Sequence, residues 1–207
     1  MTKIKICGLR REIDIRYANE CLPDYIGFVF AESRRQIEPA AAAKLRARLD
    51  PRVQAAGVFV NQEISLITGL YRGGVIDMAQ LHGDEDEDYI TALRAAAVPV
   101  VRAVAAGAAI AAPETSADFL RFDAAPAGSG FRGGAGRTFD WRILRDIRPR
   151  VSRPFFLAGG LTADNLAAAI QLLRPYGVDL SSGVESGGWK DLVKMRAVVE
   201  ITRAARD

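Results

Sequence analysis

The chain has 207 residues, 49% hydrophobic and 26% charged, with a formal net charge of +3. That length supports one domain, residues 1–207, with a full core, near the lower size limit of a (β/α)8 barrel. The charge is small and the arginines are scattered, so nucleic acid is not implied, and no apolar run is long enough to span a membrane.

MTKIKICGLR at the start lacks the long apolar segment of a secretory signal, so a cytoplasmic protein is expected. Two cysteines, with no second cysteine or histidine cluster, do not make a structural zinc site. A disulfide between Cys7 and Cys21 is not expected in a reducing compartment.

Lys3–Cys7 alternates and ends at Gly8, which predicts a strand; residues 12–22 read as a helix. Tyr25–Phe30 is an apolar strand, followed by the basic loop Ser33-Arg34-Arg35 and a helix opened by Pro39 and ending near Asp50. Val53–Val60 is a strand, and Asn61 is expected to cap a helix over 62–71. Val75–Gly83, Val98–Val104 and Asp118–Ala124 are three more strands, with a helix over 85–96 and an ambiguous Ala-rich stretch over 105–116. A Gly-rich loop, 128–136, precedes a helix around 139–147, and residues 191–206 form the last helix.

Between these lies Ala158–Asp191, where two short strands, each ending in small residues, run into helix-like sequence. Gly159, Gly160, Ser182 and Gly183 should leave backbone N–H groups bare at two helix starts, where an anion such as phosphate binds well. The competing reading is that these glycines only make tight turns. Eight apolar strands alternating with helices predict a parallel sheet covered on both faces. Cys7-Gly8-Leu9-Arg10 is not the glycine fingerprint of a doubly wound sheet, which leaves the α/β barrel.

Chemistry in a barrel sits at the C-terminal strand ends. There the sequence places Cys7, Phe30, Asn61, Gln80, His82, Arg102, Asp123, Gly159, Gly160 and Asp179 to Ser182. Cys7 and Asp123, on different strands, could work as base and acid. Equally, Cys7 could be a small core residue and His82 a hydrogen-bonded structural histidine. Successive strand residues face opposite sides, so Arg121 shares the face of Asp123 and needs buried partners. Pairing with Asp179 would leave Asp123 free to hold a proton, and this is the expected arrangement. Pairing with Asp123 would favour the ionised carboxylate.

These residues stand in segments that together resemble the phosphoribosylanthranilate isomerases of tryptophan biosynthesis. The matching segments, in order, are KICGL, GFVF, SRRQI, GVFVN, QLHGDE, GRTFDW, LAGGL, VDLSSGVE and WKDLVK. The resemblance implies a single (β/α)8 barrel and an aldose–ketose Amadori rearrangement of N-(5′-phosphoribosyl)anthranilate, with no metal and no cofactor. It implies Cys7 as general base and Asp123 as general acid. It also implies Arg35 facing the anthranilate carboxylate, Gln80, His82 and Asp179 as polar pocket residues, and the glycines of LAGGL and SSGVE as phosphate cradle. The expected partner is the small-molecule substrate alone, with no nucleic acid and no membrane, and the expected state is a monomer or homodimer.

Three departures stand against the family pattern. Gly133-Gly134-Ala135-Gly136 loses a hydroxyl, Arg121 replaces an apolar residue, and a short Ala31-Glu32 segment leaves Arg34 and Arg35 both open as the carboxylate partner. Other readings are a ribulose-phosphate epimerase, a histidine-pathway isomerase and a silent phosphosugar-binding barrel. The epimerase needs several metal-binding histidines where this chain has one. The histidine-pathway isomerase needs an Asp where Cys7 stands, and a binder needs neither Cys7 nor Asp123.

Overall fold

In a computed structural model, which describes residues 1–106, 114–124, 144–146 and 148–205, the chain closes into an eight-stranded parallel barrel. The strands are β1 (Lys3–Cys7), β2 (Tyr25–Val29), β3 (Gln54–Phe59), β4 (Met78–Leu81), β5 (Val100–Ala106), β6 (Phe119–Ala124), β7 (Phe155–Leu157) and β8 (Gly177–Leu180). Each pairs with its sequence neighbour, and β8 closes on β1 through Lys5↔Asp179 and Ile6↔Leu180. The described α-helices are α1 (Glu12–Cys21), α2 (Pro39–Arg46), α3 (Ile64–Arg72), α4 (Glu87–Ala95), α5 (Ala163–Leu173) and α6 (Leu192–Ala204). No described helix is long and apolar enough to cross a membrane.

Strand alternation sorts the side chains into two cores. Ile4, Ile6, Ile26, Phe28, Phe59, Leu81, Leu120, Phe122, Phe155 and Leu157 point outward and bury against the helices. Tyr25, Ala56, Met78, Val101 and Phe156 point inward and plug the N-terminal end, with Phe119 and Tyr176 packed against them. Closer to the C-terminal end the interior becomes polar: Lys5, Gln80, Arg121 and Asp179 are all buried there. This division leaves the apolar layers to hold the barrel and the polar layer to carry chemistry.

Two local expectations change. Asn61 does not cap α3, whose N-cap is Glu63. Asn61 is instead held at φ 50°, and its side-chain oxygen accepts from the Asp84 N–H, tying the end of β3 to the end of β4. The segment after β8 is not a strand running directly into a helix. It forms a three-residue 3-10 turn (Ser182–Val184) and then a tiny antiparallel hairpin, β9 (Glu185–Ser186) with β10 (Trp189–Lys190). Asp191 then caps α6 by accepting from the Lys194 N–H. The Gly-rich loop 128–136, with the Ala135 departure, and most of 105–116 and 139–147 lie outside the described residues; residues 144–146 are helical.

Candidate active site

Cys7 and Asp123 end β1 and β6 and both point into the barrel mouth, each 8% exposed. Cys7 sits opposite Gly27 of β2, and a Cβ at Gly27 would lie 2.5 Å from the Cys7 sulfur. Only a glycine there leaves the thiol its place. Cys7 and Cys21 are both free thiols.

One layer below, four charges form a linked set. Lys5 Nζ donates to both oxygens of Asp179, at 3.1 and 3.0 Å. Arg121 Nε donates to Asp179 Oδ2 at 2.6 Å, and Arg121 Nη1 donates to Asp123 Oδ2 at 2.9 Å. The expectation that Arg121 would pair with Asp179 and leave Asp123 apart is therefore corrected: Arg121 bridges the two. The reason is geometric. The Arg121 and Asp123 side chains are two residues apart on one strand face, and a planar fork with five donors reaches a neighbour above and a neighbour across the barrel together. Burial opposes ionisation of Asp179, yet Lys5 and Arg121 outweigh it and hold the carboxyl below its ordinary range. Burial likewise works against the Arg121 charge, but Asp123 and Asp179 outweigh it and hold the guanidinium protonated.

His82 and Gln80 face this set from β4, with Gln80 Nε2 2.6 Å from His82 Nε2. Burial, reinforced by the Arg121 charge, pushes the imidazole down to about 3. A neutral ring accepts from the Gln80 amide.

The loops after β7 and β8 meet beside this mouth. Gly159 and Gly160 take φ 86° and 63°, in the left-handed region, where glycine carries no steric penalty. A Cβ at Gly183 would lie 1.9 Å from the Leu161 carbonyl oxygen, so the two glycine segments touch and only glycine fits. The helix α5 starts three residues past Gly160, with Thr162 and Asn165 forming a capping box. Asn165 also donates to the Gly160 carbonyl at 2.9 Å, fixing the turn. No described residue accepts from the N–H of Gly159 or Gly160. The expectation of two helix starts is thus corrected to one helix start and one 3-10 turn, side by side.

The family model for N-(5′-phosphoribosyl)anthranilate (PRA) isomerase matches residues 4–201. The chain belongs to this family. It is 48% identical over 206 residues to the N-(5′-phosphoribosyl)anthranilate isomerase of Endomicrobium trichonymphae, covering 99% of this chain and all of that one. The crystal structure of the Thermus thermophilus phosphoribosyl anthranilate isomerase superposes with a TM-score of 0.87 at 31% identity, over 99% of this chain and all of that one. A family member solved in complex with reduced 1-(o-carboxyphenylamino)-1-deoxyribulose 5-phosphate superposes with a TM-score of 0.81 at 28% identity, over 99% and 100% of the two chains.

Of the residues singled out in the sequence, Cys7, Gln80, His82, Asp123 and Asp179 point into the barrel, and Gly159, Gly160, Ser182 and Gly183 come together at its rim. Arg35 reaches the rim across Gly8, where a Cβ would meet its Cδ at 2.4 Å; Gly8 itself has φ 87°. Three strand-end residues do not join the site. Phe30 stacks on Phe59 in the outer core, Asn61 ties the end of β3 to Asp84, and Arg102 turns outward to pair with Glu87.

Three residues of the site escaped sequence reading: Lys5, Glu185 and Lys190. Lys5 was within reach, since it lies two before Cys7 and must share its face. Glu185 and Lys190 belong to a hairpin of two-residue strands, too short to leave a periodic signal. Lys190, 5% exposed, donates to the Ser181 carbonyl at 2.9 Å and to Glu185 at 2.8 Å, and the Ser181 hydroxyl donates to the Cys7 carbonyl at 2.9 Å. Burial pulls the Lys190 ammonium below its ordinary value, against the pull of Glu185.

Proposed function

We propose that this chain converts N-(5′-phosphoribosyl)anthranilate to 1-(o-carboxyphenylamino)-1-deoxyribulose 5-phosphate in tryptophan biosynthesis, with Cys7 as base and Asp123 as acid. The observation that carries the assignment of roles is that Cys7 and Asp123, both able to transfer a proton, stand at the inward-facing C-terminal ends of two different strands, β1 and β6. Asp123 gives its proton to the furanose ring oxygen, the C1′–O bond breaks, and the anthranilate nitrogen becomes the iminium partner of C1′. That electron sink acidifies C2′. The Cys7 thiolate removes the C2′ proton to give an enolamine, which takes up a proton at C1′ as the C2′ hydroxyl becomes the ketone. Each positioned proton transfer supplies roughly 10²–10⁴-fold.

The rest of the site binds and orients. The touching glycine turns at Gly160 and Gly183 suit the phosphate through backbone N–H groups. Arg35, rather than the outer Arg34, suits the anthranilate carboxylate: its side chain is 12% exposed against 57% for Arg34, and it lies across Gly8 beside Cys7. Gln80, His82 and Asp179 line the pocket beneath the sugar. Buried free thiols at Cys7 and Cys21 fit a reducing cytoplasm.

Phosphoribosylanthranilate is fluorescent, and its rearrangement abolishes that signal. Purified protein mixed with this substrate should extinguish the fluorescence with saturation kinetics. Absence of turnover by the folded protein would defeat the reading; turnover that vanishes on EDTA dialysis and returns with Zn²⁺ would replace it with metal-assisted chemistry.

A further inference from the structure

Glu185 opens the hairpin after β8, and its carboxylate, 6% exposed, gathers three cations. Arg35 binds it side-on, Nε to Oε1 at 2.7 Å and Nη2 to Oε2 at 3.0 Å. Arg34 Nη2 donates to Oε2 at 2.8 Å, and Lys190 Nζ donates to Oε1 at 2.8 Å. Burial opposes its ionisation, but the hydrogen bonds from Arg35 and Lys190 outweigh this and keep Glu185 a carboxylate at neutral pH. The cluster therefore carries two positive charges in excess, at the rim beside Cys7.

The side-on pair occupies one edge of the Arg35 guanidinium. The Nη1 group, on the other edge, has no acceptor among the described residues. The stem is confined as well, because it crosses the bare Cα of Gly8. An arginine on a free stem loses rotamer freedom when it takes up a carboxylate; one already held at its side and beneath its stem loses little.

We propose that Glu185 is a positioning residue for Arg35, and that through it the hairpin sets the preference for a substrate carrying a carboxylate on its aromatic ring. The proposal rests on the reading of Arg35 as the carboxylate's partner. Lys190 anchors the device, since it fastens Glu185 to Ser181, which in turn holds the Cys7 carbonyl. A buried ion pair is weak evidence of stability by itself, so specificity, rather than melting temperature, is the informative readout.

The experiment compares kcat/KM for phosphoribosylanthranilate with that for the phosphoribosyl adduct of aniline, which lacks the carboxylate. Arg35→Met should lower the ratio of the two, and an unchanged ratio there would overturn the Arg35 reading itself. Glu185→Gln should lower the ratio about tenfold, through KM of the carboxylated substrate, while kcat on the aniline adduct stays within about twofold. Arg34→Met should leave the ratio within about twofold. If Arg35→Met lowers the ratio and Glu185→Gln does not, or if Glu185→Gln slows both substrates equally, the positioning role is wrong. Should Glu185→Gln fail to fold, Glu185→Gln with Lys190→Met removes the buried cation together with its acid and is measured in the same way.

Discussion

Replacing Arg121 with Leu would test how the interior charges set the chemistry. Asp123 is faced by Arg121 on its own strand, by Lys5 and Asp179 from β1 and β8 one layer below, and by Gln80 and His82 from β4. Lys5 and Arg121 are the cations of this set, and Asp123 and Asp179 are the acids they bond. In Arg121→Leu, Lys5 keeps both of its bonds to Asp179, and Asp123 loses the cation bonded to it at 2.9 Å. Two unit charges about 4 Å apart at an effective dielectric near 20 attract by about 4 kcal/mol. Desolvation of the pair offsets part of that, which leaves roughly 1.4–3 kcal/mol of coupling between the guanidinium and the Asp123 carboxyl. A double-mutant cycle isolates that coupling from the other partners of both side chains. Urea unfolding of the parent, Arg121→Leu, Asp123→Asn and the double variant at one neutral pH should therefore give an interaction energy in this range, with Arg121→Leu costing the parent more than it costs Asp123→Asn. Superimposable circular dichroism spectra would confirm that the four proteins share one fold. A coupling within about 0.3–0.5 kcal/mol of zero would refute the charge argument and show that Arg121 does not hold Asp123.

Cys7→Ala should fold as the parent does, by circular dichroism and melting temperature, and lose at least about 10²-fold in kcat; retention of more than about a tenth of the rate would remove Cys7 from the role of base. Inorganic phosphate should compete with substrate, and Gly183→Ala should weaken that competition by at least about tenfold, because its new Cβ would meet the Leu161 carbonyl at 1.9 Å and drive the two loops apart. Undiminished phosphate inhibition in that variant would place the anion elsewhere. His82 takes up a proton readily when unfolded but, with its folded value near 3, hardly at all inside the barrel, so stability is full above about pH 6.5 and falls as the pH drops below it. Denaturant titrations should show a slope of up to about 1.4 kcal/mol per pH unit beneath pH 6, flattened in His82→Gln; equal slopes in both proteins would contradict a buried neutral imidazole.

The barrel was legible in the sequence because its signals are local. A short apolar run such as Tyr25–Val29, bounded by Pro and Asp before it and a basic loop after it, reads as a strand covered on both sides, and Pro39 marks a helix start whatever surrounds it. Alternation within one strand likewise placed Cys7, Gln80, His82 and Asp123 on inward faces. What needed the folded chain was every relation between strands. The side-chain period puts Arg121 and Asp123 on one face, but whether the guanidinium turns to Asp123 or to Asp179, 58 positions later, depends on the barrel bringing β6, β8 and β1 around a common interior. Asn61 has the composition of a helix cap, yet closure sets it against Asp84 and its side chain serves the neighbouring loop instead. Gly183 is indistinguishable in sequence from a turn glycine; its need for a bare Cα arises from a carbonyl of the preceding loop. Glu185 joins residues about 150 positions apart, and a hairpin of two-residue strands has too few residues to write a period of its own. Local propensity and alternation thus set which elements form and which side chains face inward. Closure of the sheet decides which of those side chains meet, because a contact energy depends on distances that a one-dimensional pattern does not contain.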